Sequence, residues 1–211
     1  MEGDRERWNA KWRERAGELE THAHFLVEHA QHLPTQGKAL DIAGGAGRNA
    51  IWLARRGLDV TLVDVSDVAL HKAELRAKNA GLDGQMRFLR LDLDRKLDLA
   101  PLFDLVLVSH YLNRARRDEY VALLHEGGTL VAVQPTVTNL ERHPKPGPEY
   151  LVEPGELAEW ATRLGLAVLA AREEWNVEGR HEALVIAKRT PGLVIEEVDR
   201  EDTGPQLGPY R

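Results

Sequence analysis

A run of glycines and three acids are the residues whose types and spacing could do chemistry in this chain. The run reads Leu40-Asp41-Ile42-Ala43-Gly44-Gly45-Ala46-Gly47-Arg48-Asn49. Glycine reaches backbone conformations that other residues avoid, so such a cluster lets the main chain come close to a ligand. Asp41 stands just before the glycines, where a carboxylate repels a pyrophosphate and welcomes an ammonium group. Asp64 follows 23 residues later, at the end of Val60-Thr61-Leu62-Val63 and before Val65 and Ser66. A carboxylate there can accept hydrogen bonds from both hydroxyls of a ribose. Asp92, between Leu91 and Leu93, could accept the amino group of an adenine, with the leucines beside the ring. The three acids beside one glycine turn favour a ligand with a ribose at one end and a positive amine at the other.

Ser109-His110-Tyr111-Leu112-Asn113-Arg114 could serve a second reactant. Histidine as a residue type exchanges protons near neutrality, so His110 is the candidate general base or substrate contact, with Tyr111 beside it. The alternative is that either ring packs over the ligand or the loop. Trp8 and Trp12 are one helical turn apart, as a lid or as plain helix packing. Arg142, His143, Lys145 and Tyr150 could meet an anionic reactant or form a solvated loop. Among His22, His24, His29 and His32 only the last two share a helical face at close spacing, so a polar face is expected and no metal.

These residues need elements to hold them. A helix is expected up to about Leu33, then strands at 39–43, 60–64, 86–93, 103–108 and 129–133. Helices are expected at 48–56, 67–80 and 118–125, with Ser66 as an N-cap and Gly57 and Gly81 as stops. Short apolar strands alternating with helices argue for a parallel sheet covered on both faces. A helix at 154–164 and strands at 166–172 and 183–188 then suggest an antiparallel hairpin at a sheet edge. In such sheets the ligand crevice lies beyond the carboxyl ends of the strands, where the glycine turn and residues 109–114 fall. The proline-rich connection 134–152 is long enough to be a lid or binding loop. One domain over 1–190, with 1–36 as an N-terminal helical lid region, is followed by an acidic tail, 191–211.

Composition narrows the classes. The 211 residues include no Cys, which excludes disulfides, thiolate metal sites and a Cys nucleophile. With 28 Lys and Arg against 34 Asp and Glu, the net charge of −6 disfavours a general nucleic-acid surface. The charged amino terminus lacks the apolar stretch of a secretory signal, and no run approaches the length of a membrane span. A cytoplasmic protein is expected, without nucleic-acid or membrane partners; a homodimer stays a candidate assembly.

Residues 38–188 resemble the class I S-adenosylmethionine-dependent methyltransferases, closest to the tellurite-resistance-type branch. The resemblance is carried by 40–49, by Val-Thr-Leu-Val-Asp-Val-Ser at 60–66, by Phe-Asp-Leu-Val-Leu-Val at 103–108 and by Gly-Gly-Thr-Leu at 127–130. It implies a Rossmann-like α/β fold, a seven-stranded and mostly parallel sheet whose last strand runs antiparallel. S-adenosyl-L-methionine also meets the ribose-and-amine description above. The expected cofactor contacts are Asp41, Ala43, Gly44, Gly45, Gly47, Arg48, Asn49, Asp64, Val65, Ser66, Asp92, Leu93, Ser109 and Trp12, and the catalytic candidates are His110 and Tyr111. The family's first turn glycine is replaced by Ala43. The expected activity is methyl transfer to a small-molecule acceptor, since little chain remains for a macromolecule-recognition domain. Two readings compete. Gly45-Ala46-Gly47-Arg48-Asn49-Ala50 fits a nicotinamide-dependent oxidoreductase pattern, though Asp41 and the closing hairpin argue against it. A non-catalytic module of the same fold would be consistent with Ala43.

Overall fold

The computed structural model describes residues 2–15, 22–97, 99, 100 and 102–192. Seven strands form one sheet: β1 (Gly37–Ile42), β2 (Leu58–Asp64), β3 (Met86–Arg90), β4 (Phe103–Ser109), β5 (Leu124–Pro135), β6 (Ala167–Trp175) and β7 (His181–Lys188). Their spatial order is β3-β2-β1-β4-β5-β7-β6. Pairings from β3 to β5 are parallel, and β7 runs antiparallel to both its neighbours. The expected Rossmann-like α/β sheet with its terminal hairpin is therefore the fold.

Side chains alternate across the strands, so the apolar ones divide between two faces. On one face Ala39, Leu62, Leu105, Leu107 and Val131 pack beneath α3 (Arg48–Arg55) and α4 (Asp67–Asn79). On the other, Leu40, Ile42, Val106, Val108 and Leu130 pack beneath α5 (Arg117–Ala122) and α6 (Glu156–Arg163). Trp160 Nε1 donates to Asp118 Oδ1 at 2.8 Å, which ties α6 to α5. Ser66 caps α4 as expected, accepting from Ala69 N at 3.1 Å.

The amino-terminal region is not one helix. It holds α1 (Glu2–Glu14), α2 (His24–Glu28) and a short 3-10 turn, Ala30–His32. The chain is extended at Ala23, whose N–H goes to Asn49 Oδ1 at 3.0 Å instead of into a helix. His125 is likewise strand, not helix: β5 starts at Leu124, opposite Phe103, and runs through Gly127 with an irregularity. Strand β3 stops at Arg90, so Asp92 lies in the turn beyond it, where it accepts from Asp94 N. The connection 134–152 contains two 3-10 turns and a bridge between Thr136 and Val152. The acidic tail falls at 193–211, outside the described residues.

Candidate active site

The glycine turn joins β1 to α3 at the carboxyl end of the sheet. Its conformation is unusual at three successive alternate positions: φ is 53° at Ala43, 56° at Gly45 and 78° at Gly47. An alanine in the left-handed region costs on the order of 1 kcal/mol, so the turn is strained where the family places glycine. A Cβ on Gly44 would lie 2.7 Å from both Asp41 Oδ2 and Leu62 Cγ. A Cβ on Gly45 would lie 2.6 Å from Trp12 Cζ2. Gly45 is thus bare partly because the indole of α1 rests upon it.

Asp41 is fully buried beneath this turn, and its Oδ2 has no hydrogen-bond partner. Burial, with the neighbouring Asp64 carboxylate, pushes its pKa up to about 7, against the pull of Arg48 and the Ala50 N–H. A buried carboxylate with one empty oxygen below a bare backbone suits a cation arriving above it. Asp64 ends β2. Its Oδ2 accepts from Gly45 N at 2.9 Å and its Oδ1 from Ser66 N at 2.8 Å. Burial raises its pKa, opposed by these amides. Each carboxylate oxygen has a second acceptor direction, so the pair can hold the turn and still take two hydroxyls.

Helix α1 lies across this region. Asn9 Oδ1 accepts from Ser66 Oγ at 2.7 Å and from Val68 N at 3.2 Å. Arg5 pairs with Asp67 at 2.6 Å. Lys72 donates to the carbonyls of Trp12 and Arg15 at the end of the helix. Trp12 packs with Ala46 and Ala69, and Trp8 flanks them. Asn9 had no signal in the sequence beyond its place beside the two tryptophans.

Several of the expected contacts also have partners within the protein. Asn49 spends its oxygen on Ala23 N. Leu93 is buried in the core cluster beneath α5 and α6. Asp92 is paired with Arg95 at 3.6 Å. Val65 and Ser66 sit with Asp64 above the turn, and Arg48 opens α3. Ser109, on the neighbouring strand, has a buried hydroxyl without a partner.

A cleft of about 130 Å³ adjoins the turn, lined among others by Phe25, Arg48, His110, Arg172, Trp175 and Glu182. His110 has φ 58°, and its N–H reaches Val133 O at 2.9 Å. Its Nε2 is 2.7 Å from Glu182 Oε1. Asn176 Nδ2 donates to Glu182 Oε2 at 2.8 Å. Burial opposes the Glu182 charge, but His110, Asn176 and Arg180 hold its pKa below the ordinary carboxylate range. Tyr111 behaves differently. It packs against the core, and burial pushes its pKa up to about 12, which unsuits it as a base. Glu182 is a functional candidate that the sequence reading missed. The antiparallel last strand starts at 181, two residues before the expected 183, and so brings position 182 back to the crevice end.

The walls of the cleft are tied down. Thr136 Oγ1 meets His181 Nδ1 at 2.7 Å, His143 Nε2 meets Gly179 O at 2.7 Å, and Arg142 stacks on Trp175 at 3.7 Å. Arg142 and His143, two of the four residues expected to greet an anion, therefore fasten the 134–152 connection to the β6–β7 turn. On the other side, Glu156 clamps Arg114 and Arg117 at 2.7 and 2.6 Å, fixing the loop after His110. Among the described residues no group of three or more His, Asp or Glu is placed to hold a metal ion. No described helix is long and apolar enough to cross a membrane.

Comparison with known proteins bears on this arrangement. A family model for a methyltransferase domain matches residues 39–131. No curated protein matches the chain. Among solved structures, one from work on conversion of a disulfide bond into a thioacetal group during echinomycin biosynthesis is 19% identical, covering 89% of this chain and 92% of that one, with a TM-score of 0.69. TehB from Haemophilus influenzae is 18% identical over 88% of this chain and 67% of its own, at a TM-score of 0.64. Magnesium protoporphyrin IX methyltransferase from Synechocystis PCC 6803, solved with bound S-adenosylhomocysteine, is 17% identical over 90% of this chain and 99% of its own, at a TM-score of 0.67. With the sheet order and these likenesses together, the chain has the class I S-adenosylmethionine-dependent methyltransferase fold, and its residues 39–131 match the methyltransferase-domain model.

Proposed function

We propose that the protein transfers a methyl group from S-adenosylmethionine to a small-molecule acceptor bound in the cleft beside His110. The observation that carries this reading is the turn itself. A bare, left-handed backbone lies between a buried carboxylate with an empty oxygen and a second carboxylate already oriented by two amides. Asp41 faces the amine of the ligand electrostatically, and Asp64, with Val65 and Ser66, receives the ribose. Arg48 suits the ligand's carboxylate. Trp12, on α1, covers the turn and keeps water from it.

The cofactor supplies an already activated methyl group. The protein's part is alignment and exclusion of water, because a well-oriented displacement gains most of its rate from position. His110 stands between the turn and the acceptor cleft and can take a proton where the acceptor has one to lose. The cleft, about 130 Å³, suits a small reactant. The reading is of a cytoplasmic enzyme whose residues 1–190 form one domain, with no nucleic-acid or membrane partner.

The test is transfer of label from methyl-labelled S-adenosylmethionine to a panel of small phenols, thiols, amines and carboxylates. Label should appear in a small product with at least one acceptor and should be lost in Asp64→Ala. Label that stays in the donor across the panel, with the donor bound, would favour a non-catalytic module.

A further inference from the structure

We infer that His110 and Glu182 act as one unit, with Glu182 the positioning residue and His110 Nδ1 the base, and that the acceptor is therefore protic: a hydroxyl or a thiol. This rests on the methyl-transfer reading above and names its substrate class. Three geometric observations carry it.

The first is orientation. Glu182 is the only acidic side chain bonded to the His110 ring among the described residues, and it meets Nε2 at 2.7 Å. Its other oxygen is taken by Asn176, so the carboxylate is fixed at both ends. An ionised carboxylate can only accept, so Nε2 carries the hydrogen, and in the neutral ring the lone pair is on Nδ1. The second is strain. His110 is a non-glycine residue in the left-handed region, and such outliers persist where the surroundings enforce them. Here the enforcing contacts are Val133 O on its main chain and Glu182 on its ring. The third is the electrostatic setting. Of the other ionisable groups around the cleft, Arg48 is a cation with no proton to accept, Glu178 pairs with Arg180 at 3.3 Å, and the rest are paired with one another. Arg172 pairs with Glu28 and with Glu174, both at 2.6 Å, and His24 bonds Glu28 at 2.8 Å. That leaves the His110–Glu182 pair as the group able to accept a proton and keep the resulting imidazolium stabilised.

The step balances as follows. The acceptor's O–H or S–H bond breaks as Nδ1 takes the proton. The freed lone pair forms the bond to the methyl carbon. The carbon–sulfur bond of the donor breaks, and its electron pair stays on sulfur as a neutral thioether. The imidazolium later returns its proton to solvent. An acceptor with no proton to lose, such as a halide or a thioether, gains nothing from this pair.

The test uses the full chain saturated with S-adenosylhomocysteine and 4-nitrophenol as the probe, which colours on ionisation. At a pH where free 4-nitrophenol is mostly protonated, the bound probe should be ionised about tenfold more than the free probe, an apparent shift near one unit. His110→Asn keeps a residue that tolerates the left-handed backbone but removes the base. It should bind S-adenosylhomocysteine normally and leave the bound probe protonated. Glu182→Gln should give an intermediate ionisation with normal product affinity, which a merely structural role would not. A wild-type protein that binds S-adenosylhomocysteine yet excludes the probe, or binds it protonated, overturns the inference. So does equal ionisation in all three proteins. Failure of the wild type to bind S-adenosylhomocysteine overturns the methyl-transfer reading instead.

Discussion

Asp64→Ala should lower the free energy of unfolding by about 2–5 kcal/mol and remove detectable binding of S-adenosylhomocysteine. The carboxylate accepts the N–H groups of Gly45 and Ser66 at 2.9 and 2.8 Å in a region buried under α1. Truncation leaves both donors without a partner. Each orphaned buried donor costs about 1–3 kcal/mol. Some of this is offset because Asp64 is itself costly to bury, as its raised pKa reflects. Asp64→Asn keeps one acceptor oxygen and turns an amide against a backbone donor, so it should lose roughly half as much. Denaturant titration of the three proteins measures this. Stabilities within about 0.5 kcal/mol of one another, the ordinary scatter of surface substitutions, would remove Asp64 from the turn's support.

Asp41 should make the protein less stable as pH rises towards neutrality. Its carboxyl is fully buried, and its pKa lies at about 7 in the folded chain against an ordinary 3.8. The folded state therefore holds a proton that the unfolded chain releases from about pH 4 upward. Stability from this group is complete below that point, falls by about 1.4 kcal/mol per pH unit, and levels off above pH 7. The sum is about 4 kcal/mol on that pKa difference. Asp41→Asn removes the proton exchange and should flatten this part of the profile. Binding of an amine-bearing ligand should favour the ionised carboxyl, so affinity for S-adenosylhomocysteine should rise through pH 7 in the wild type and not in Asp41→Asn. Thermal unfolding at a series of pH values, with and without ligand, measures both. Parallel profiles for the two proteins would show that Asp41 is ionised throughout.

Much of this arrangement was legible in the sequence because it is local. The glycines of 44–47 sit between an apolar run and a helix, Ser66 caps the helix that follows it, and Asp64 ends its strand. Each of those signals spans a few residues. What was not legible depends on contacts between distant positions. Glu182 reaches His110 across 72 residues, and Asn9 reaches Ser66 across 57. Only the sheet order and the lie of α1 bring them together. The amino-terminal helix was misread because helical spacing continues through 22–33, while Asn49 diverts the backbone at Ala23. Leu93 looked like a ligand contact because it neighbours Asp92, yet the turn after β3 folds it into the core. His125 was misread because the glycine pair at 127 and 128 resembles a break, whereas β5 passes through it. Arg142 and His143 looked available for an anion, yet Trp175 and the β6–β7 turn occupy them.

The central claim is that the glycine turn and its two carboxylates form a site for S-adenosylmethionine. Thermal unfolding of the full chain with S-adenosylmethionine, S-adenosylhomocysteine, NAD and NADP, each added separately, tests it most directly. A ligand at 100 times its dissociation constant should add about 2.7 kcal/mol, which raises the midpoint by a few degrees in a chain of this size. The account predicts that rise with S-adenosylmethionine or S-adenosylhomocysteine and none with the nicotinamide cofactors. A rise with NAD or NADP alone would contradict it and make the turn a dinucleotide site.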